Sequence, residues 1–189
     1  MDFRPLVRAE ACWRTWDRAG LQRVVLWAGE NEIVAEGAVV VPGEDGFAAA
    51  FRIACDAGWR VREAEVRVAG GPALVLASDG EGRWTGPGGE RLGTLDGCID
   101  VDLQASPLTN VLPIRRTKFR RGDIRTFQMV YIPFPSLKPF VDEQRYTCLE
   151  PCGLYRYEAA DGSFAAELPV DEDGLVLDYP SLFRRVRRD

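Results

Sequence analysis

Turn signals recur along the whole chain at short intervals, and they limit the fold more than any other feature of the sequence. Each combines Gly with Asp or Pro, because Gly adopts positive φ without strain and Asp closes turns through its side chain. They lie at residues 42–46, 56–58, 70–72, 79–82, 86–89, 96–97, 121–123, 161–162 and 171–174. A spacing of about 8–12 residues leaves room for short strands, so the pattern predicts a mostly β protein with antiparallel strands.

The segments between these turns alternate apolar and polar residues, with the period of two that is typical of half-buried strands. Residues 99–103 and 127–131 follow this alternation. Between residues 59 and 68 the phase changes, so that apolar side chains at the two ends of the segment would face opposite sides of the sheet. A β-bulge near Arg62 and Glu63 would absorb this change and curve the sheet.

One segment departs from the strand pattern and predicts a helix. Ser106 can cap a helix, and Pro107 suits its first position, where no backbone donor is needed. Leu108 and Leu112 then lie on one face at helical spacing. We therefore expect a short helix at about residues 107–117, with the sheet folded around it.

The composition bounds the class of protein and excludes several functions. The chain has 189 residues with no shift in composition, so residues 1–189 are interpreted as one domain. Its net charge of −5 argues against nucleic-acid binding, which needs an excess of basic residues. The sequence contains no histidine, which excludes the usual Ser-His-Asp and Cys-His catalytic arrangements and removes the commonest zinc ligand.

The cysteines and the apolar runs bear on compartment and cofactors. The five cysteines are scattered, and only Cys148 and Cys152 lie close in sequence, without residues that would complete a metal site. No secretory signal and no stretch of about 20 apolar residues is present, so we expect a cytoplasmic protein with reduced thiols and no membrane span. No metal and no other cofactor is expected.

Several stretches, taken in order, carry a resemblance to a known family. They read DGEGRW at residues 79–84, LDGCIDVDL at 95–103, SPLTNVLPIRR at 106–116, RYT at 145–147, YRY at 155–157 and DYPSLFR at 178–184. On these residues the chain resembles the glycolipid-binding family of spiral β-roll proteins. The resemblance implies a large antiparallel sheet of about fifteen strands wrapped around a single α-helix, and a homodimer, although a shared fold does not by itself fix function.

Two carboxylates in the central stretch form the first candidate site. Asp100 and Asp102 are two residues apart on a predicted strand, so they share a face, with Cβ atoms about 6.5–7 Å apart. That separation is near the one used by glycoside hydrolases. The other interpretation is a partly buried charge network in which Arg115 and Arg116 pair with both carboxylates and attach the helix to the sheet.

Aromatic residues provide the second candidate site, because aromatic walls with a few polar groups are typical of ligand pockets. The candidate ligand-binding residues are Asp100, Asp102, Asn110, Arg115, Arg116, Tyr131, Arg145, Tyr146, Tyr155 and Tyr157. The resulting hypothesis is a non-catalytic protein that holds a glycolipid or another amphipathic ligand in a trough between sheet and helix. The alternatives are a glycoside hydrolase that uses Asp100 and Asp102, and a protein-interaction module.

Overall fold

The computed structural model describes residues 2–17 and 19–186, and this part of the chain is mostly β. The strands are β1 Arg8–Thr15, β2 Leu21–Ala28, β3 Glu32–Val41, β4 Phe47–Asp56, β5 Val61–Val68, β6 Ala73–Ser78, β7 Trp84–Thr85, β8 Asp100–Leu103, β9 Ile124–Ile132, β10 Phe140–Glu150, β11 Leu154–Ala159, β12 Ala165–Pro169, β13 Asp178–Tyr179 and β14 Phe183–Arg185. The α-helix, α1, spans Val111–Arg116, and 3₁₀ turns span Gly93–Leu95 and Pro107–Asn110. The mostly β class predicted from the turn signals is confirmed.

The strands form two sheets, whereas a single large antiparallel sheet was predicted. A nine-stranded sheet has the order β13-β14-β1-β2-β3-β4-β5-β6-β7, and a five-stranded sheet has the order β12-β11-β10-β9-β8. Strands β8 and β9 pair in parallel, so the expectation of a wholly antiparallel protein is wrong at this pair. The reason is the connection between them: a parallel pair needs a crossover of a dozen or more residues, and residues 104–123, which contain α1, supply one.

The change of phase in β5 is a β-bulge at the predicted position. Glu63 lies opposite Ala54, but Val61 lies opposite the next residue, Cys55, so Arg62 has no partner on β4. The extra residue lets Val61 and Ala64, which are three positions apart, both point into the core with no exposed surface. The bulge therefore keeps the apolar residues of one strand on one side of a bent sheet.

The helical segment also follows its sequence signals. The Ser106 side chain accepts a hydrogen bond from the Leu108 amide at 3.1 Å, and Pro107 occupies the first helical position. Leu108 and Leu112 are 1% and 2% exposed. The segment begins as a 3₁₀ turn and continues as α1 to Arg116, which agrees with the predicted bounds.

The core has two parts, and the helix lies against both. The larger part lies between the nine-stranded sheet and strands β8 and β9 of the other sheet, and it includes Val111 and Leu112 of α1. The smaller part lies on the five-stranded sheet and includes Ile114 from the same helix. Among the described residues, no helix has the length and apolar character needed to cross a membrane.

Candidate functional site

The candidate site is a cavity at the junction of the two sheets, which we call the seam pocket. Its volume is about 180 Å³. It is lined by Asp102, Leu103, Gln104, Ser106, Asn110, Tyr131, Tyr157, Phe164, Tyr179, Leu182 and Phe183. Four of the ten predicted ligand-binding residues, Asp102, Asn110, Tyr131 and Tyr157, therefore share one cavity.

The topology explains why these residues meet. Asp102 of β8 lies directly opposite Tyr131 in the parallel pair of β8 and β9. Tyr157 belongs to β11 of the same sheet, whereas Tyr179 and Phe183 pair with each other in β13 and β14 of the nine-stranded sheet. The pocket therefore takes one wall from each sheet.

A continuous polar network forms the floor beneath the pocket. The Asn110 side-chain amide donates to the Tyr146 hydroxyl at 2.8 Å, and that hydroxyl donates to Gln144 Oε1 at 3.4 Å. Gln144 Nε2 donates to Asp102 Oδ2 at 2.6 Å, and the Thr109 hydroxyl donates to Asp102 Oδ1 at 2.7 Å. Since Thr109, Asn110, Tyr146 and Gln144 are all buried, the network fixes the side chains that the pocket exposes.

Burial dominates the electrostatics of this network. Desolvation raises the pKa of Asp102, although the hydrogen bonds from Thr109 and Gln144 oppose the rise. Desolvation, with the nearby charge of Asp102, also raises the pKa of Tyr131 to about 12. Tyr146 and Tyr157 have raised pKa values for the same reason, so the phenols in and under the pocket stay protonated and can donate hydrogen bonds.

Asp100 lies outside the pocket and is fully buried, with 0% side-chain exposure. Arg116 binds it with both ends of its guanidinium, from Nε at 3.2 Å and from Nη2 at 2.5 Å. Burial raises the pKa of Asp100 while Arg116 opposes the rise. The predicted ion pair between strand and helix is therefore present for Asp100 and Arg116.

The other half of the predicted charge network is wrong. Asp102 is held by neutral donors, and Arg115 points away from both carboxylates. Arg115 donates to the backbone carbonyls of Arg4 and Asp173 and lies over the Trp59 ring at 4.7 Å. Consecutive residues of an α-helix differ by about 100° in direction, so Arg115 and Arg116 cannot both face one strand.

Three predicted residues lie elsewhere. Tyr146 is fully buried beneath the pocket. Tyr155 is buried on another side of the smaller core, against Phe119 at a ring distance of 5.4 Å. Arg145 is exposed and pairs with Glu158 at 3.1 Å, so it takes no part in the pocket.

Residues from distant parts of the chain complete the site, and our sequence reasoning missed them. Gln144, the link to Asp102, lies in a run of four polar residues at positions 142–145, and nothing in that run distinguishes it from its neighbours. Tyr179 and Phe183 lie in the stretch at residues 178–184 that carries part of the family resemblance, and this resemblance could have indicated them as site residues. Phe164 follows a turn and packs on Tyr157 at 6.1 Å.

The predicted ligand trough between sheet and helix is filled with side chains. Leu108, Val111 and Leu112 belong to the same buried cluster as Phe51 and Trp84 from the nine-stranded sheet. Because protein cores pack densely, a ligand could enter there only by displacing these residues. We therefore place the candidate site at the seam pocket.

A second concave surface, the outer trough, lies on the solvent face of the nine-stranded sheet. Its volume is about 520 Å³, and it is lined by Arg23, Val25, Glu36, Gly37, Ala38, Ala50, Phe51, Arg52, Glu65, Val66, Arg67, Ala73, Leu74 and Val75. Small side chains such as Ala38 and Ala50, which lie opposite each other, form part of the depression. The buried hydrogen-bond network described above belongs to the seam pocket and not to this surface.

Comparisons with known proteins agree with the resemblance seen in the sequence. The model of a family described as "Putative glycolipid-binding" matches residues 10–185. The crystal structure of a DUF1089 family protein from Pseudomonas aeruginosa is 36% identical, with a TM-score of 0.77 over 96% of this chain and 94% of that one. No curated protein matches the chain significantly. Since the family model covers nearly the whole sequence, this chain belongs to the glycolipid-binding family.

Proposed function

We propose that this protein binds the sugar head group of a glycolipid in the seam pocket. The observation that carries the proposal is a buried polar network that ends in a half-buried carboxyl group, Asp102, which lines the pocket with aromatic residues. Sugars are bound by such arrangements, because aromatic rings pack on their C–H faces while fixed polar groups bind their hydroxyls. A volume of about 180 Å³ suits one sugar ring.

The rim of the pocket offers apolar surface for the lipid part. Leu182 lines the pocket and is 41% exposed. Phe140 is 49% exposed and packs on Tyr131 at a ring distance of 5.1 Å. An alkyl chain that leaves the pocket along these side chains would cover apolar area that now faces water.

The proposed role is non-catalytic. A glycoside hydrolase needs two carboxyl groups that reach the substrate. Asp100 is fully buried and bound by Arg116, which supports a structural role for it and leaves Asp102 without its predicted partner in catalysis. No observation favours the protein-interaction alternative over the pocket.

The compartment, the oligomeric state and the roll architecture expected from the sequence form part of the same proposal. We propose a cytoplasmic homodimer in which both sheets and α1 form a spiral β-roll. The contacts of α1 with both parts of the core support the roll. The exposed edges of two open sheets support a dimer, because unpaired strand edges are usually covered. Light scattering in solution tests the dimer.

Two matched blocking variants test the site. Leu182→Trp places a large ring at the mouth of the seam pocket, and Ala38→Trp places the same ring in the outer trough. Both positions are exposed, so both variants are expected to fold. We expect Leu182→Trp to weaken binding of n-octyl glucoside by about tenfold or more, and Ala38→Trp to leave it unchanged. Isothermal titration calorimetry measures both.

The opposite pattern would contradict the proposed site. Loss of binding in Ala38→Trp with normal binding in Leu182→Trp would move the ligand to the outer trough. Failure of the wild-type protein to bind octyl glycosides of any charge would contradict sugar head-group binding itself. Circular dichroism of both variants separates a blocked pocket from a misfolded chain.

A further inference from the structure

The seam pocket contains a carboxyl group and, among its described lining residues, no basic side chain to pair with it. Among its described lining residues, Asp102 is the one that carries a carboxyl group, and none is Arg or Lys. Asp102 is held by Thr109 and Gln144, which are both neutral. Asp100, two residues earlier, has Arg116 as its partner. Asp102 is half-buried, and a carboxylate that is partly removed from water without a cation costs free energy, so this difference between the two aspartates needs an explanation.

A second carboxylate adds to the same charge. Gln144 Nε2 donates to Asp102 Oδ2 at 2.6 Å and also to Asp142 Oδ2 at 3.1 Å. One amide group thus joins two carboxylates, and no ion pair to either is found among the described residues. The charge of Asp142 contributes to the raised pKa of Asp102, after desolvation. Gln144 thus places a second carboxyl group, Asp142, next to the one that lines the pocket, Asp102.

The aromatic walls of the pocket also favour a positively charged ligand. Tyr157, Phe164 and Tyr179 form a cluster with ring centroids 6.0–6.1 Å apart. Tyr131 lies across the pair of strands from Asp102. Aromatic faces attract cations, and rings combined with a carboxylate are a common way to bind an ammonium group.

We propose that the head group is an amino sugar, whose ammonium group supplies the cation that Asp102 and Asp142 lack. This rests on the proposed function, that the seam pocket binds a sugar. The sugar ring packs on the aromatic wall, and the ammonium group donates to Asp102 at the floor. Neutral sugars bind more weakly because they leave the carboxylates uncompensated, and acidic sugars are repelled.

The test uses glycosides that share one ring and one alkyl chain: n-octyl glucoside, its 2-amino-2-deoxy counterpart and n-octyl glucuronide. Octylamine serves as a probe with the cation but without the sugar. Calorimetry on the full chain at neutral pH gives each Kd. We expect the amino glycoside to bind about tenfold or more tightly than the neutral one. The glucuronide and octylamine are both expected to bind more weakly than the amino glycoside.

Variants connect the preference to the carboxylates. Asp102→Asn should bring the ratio of the neutral to the amino glycoside Kd close to one, and Asp142→Asn should lower this ratio. Glu65→Gln removes one exposed negative charge in the outer trough and should leave the ratio unchanged. Both Kd values in each ratio are measured on the same variant. A general loss of stability therefore affects both values and does not change their ratio.

The outcomes separate this inference from the function on which it rests. Equal affinity for the amino and neutral glycosides, or tightest binding of the glucuronide, overturns the inference and leaves sugar binding in place. If octylamine binds as tightly as the amino glycoside, the sugar ring contributes nothing to recognition, and the proposal that the head group is a sugar is overturned. A wild-type protein that binds none of the glycosides overturns both proposals.

Discussion

Replacing Asp100 by Ala tests the buried ion pair between β8 and α1. Asp100 has no exposed side-chain surface, and its partner Arg116 has 21%. The guanidinium also lies over the Phe127 ring at 5.3 Å. Removing the carboxylate leaves an arginine that cannot lose its proton in a mostly buried position.

The magnitude follows from that burial. Breaking a buried ion pair by removing one partner costs about 3–5 kcal/mol. Because Arg116 keeps some contact with water, we expect the lower end, about 3 kcal/mol. For a domain of this size each kcal/mol lowers Tm by about 2–4 °C, so the melting temperature should fall by about 6–12 °C.

Urea denaturation and thermal melting followed by circular dichroism measure the effect. The matched control is Asp96→Ala, which removes an exposed ion pair with Arg91 at 2.6 Å. Exposed pairs contribute at most about 1 kcal/mol, so this variant should melt nearly like wild type. Equal melting temperatures for Asp100→Ala and wild type would refute the reasoning that burial makes this pair structural.

Two other predictions concern packing and pH. Gly37→Ala should lower the free energy of unfolding by about 1–3 kcal/mol in urea titrations, because the added Cβ atom would overlap Cζ of the buried Phe51. Gly29→Ala, whose Cβ would meet the Glu32 side chain at 3.2 Å, is the milder control, and equal losses in the two would contradict the packing argument. Burial raises the pKa of Asp102 in the folded protein. The contribution of Asp102 to the free energy of unfolding is therefore most favourable below the ordinary pKa of Asp, and it is lost as the pH rises through the raised pKa of the folded protein. Asp102→Asn should therefore gain stability relative to wild type as the pH rises from about 4, the ordinary pKa of Asp, through the raised pKa of the folded protein. A difference in stability that does not change with pH in urea titrations would contradict this sign.

Local signals predicted the local structure. Ser106 and Pro107 marked the start of the helical segment, because capping and proline geometry depend on a few neighbouring residues. The change of phase around Arg62 marked the bulge for the same reason, since a strand can keep its apolar residues in the core only by adding a residue.

Contacts between distant segments could not be predicted in this way. The parallel pairing of β8 with β9 depends on how the crossover packs, and the division into two sheets depends on which edges remain unpaired. The site shows the same limit. Asp102 was predicted as a candidate, but Gln144 was not, because its contact with Asp102 joins two strands that are not neighbours in the sequence. The direction of Arg115 depends on the rotation of a helix about its axis, which one apolar face determines only roughly.

The construction of the seam pocket from both sheets has a consequence for the order of events during synthesis. Strands β2 to β6 are consecutive hairpin neighbours and can pair as they emerge from the ribosome. Strand β14 pairs with β1 and places Arg185 opposite Trp13. This contact can form only after all strands of the five-stranded sheet have been synthesised, because they precede β14 in the chain. Tyr179 and Phe183 belong to the same late segment. A nascent or partly folded chain would therefore have most of its nine-stranded sheet but no seam pocket.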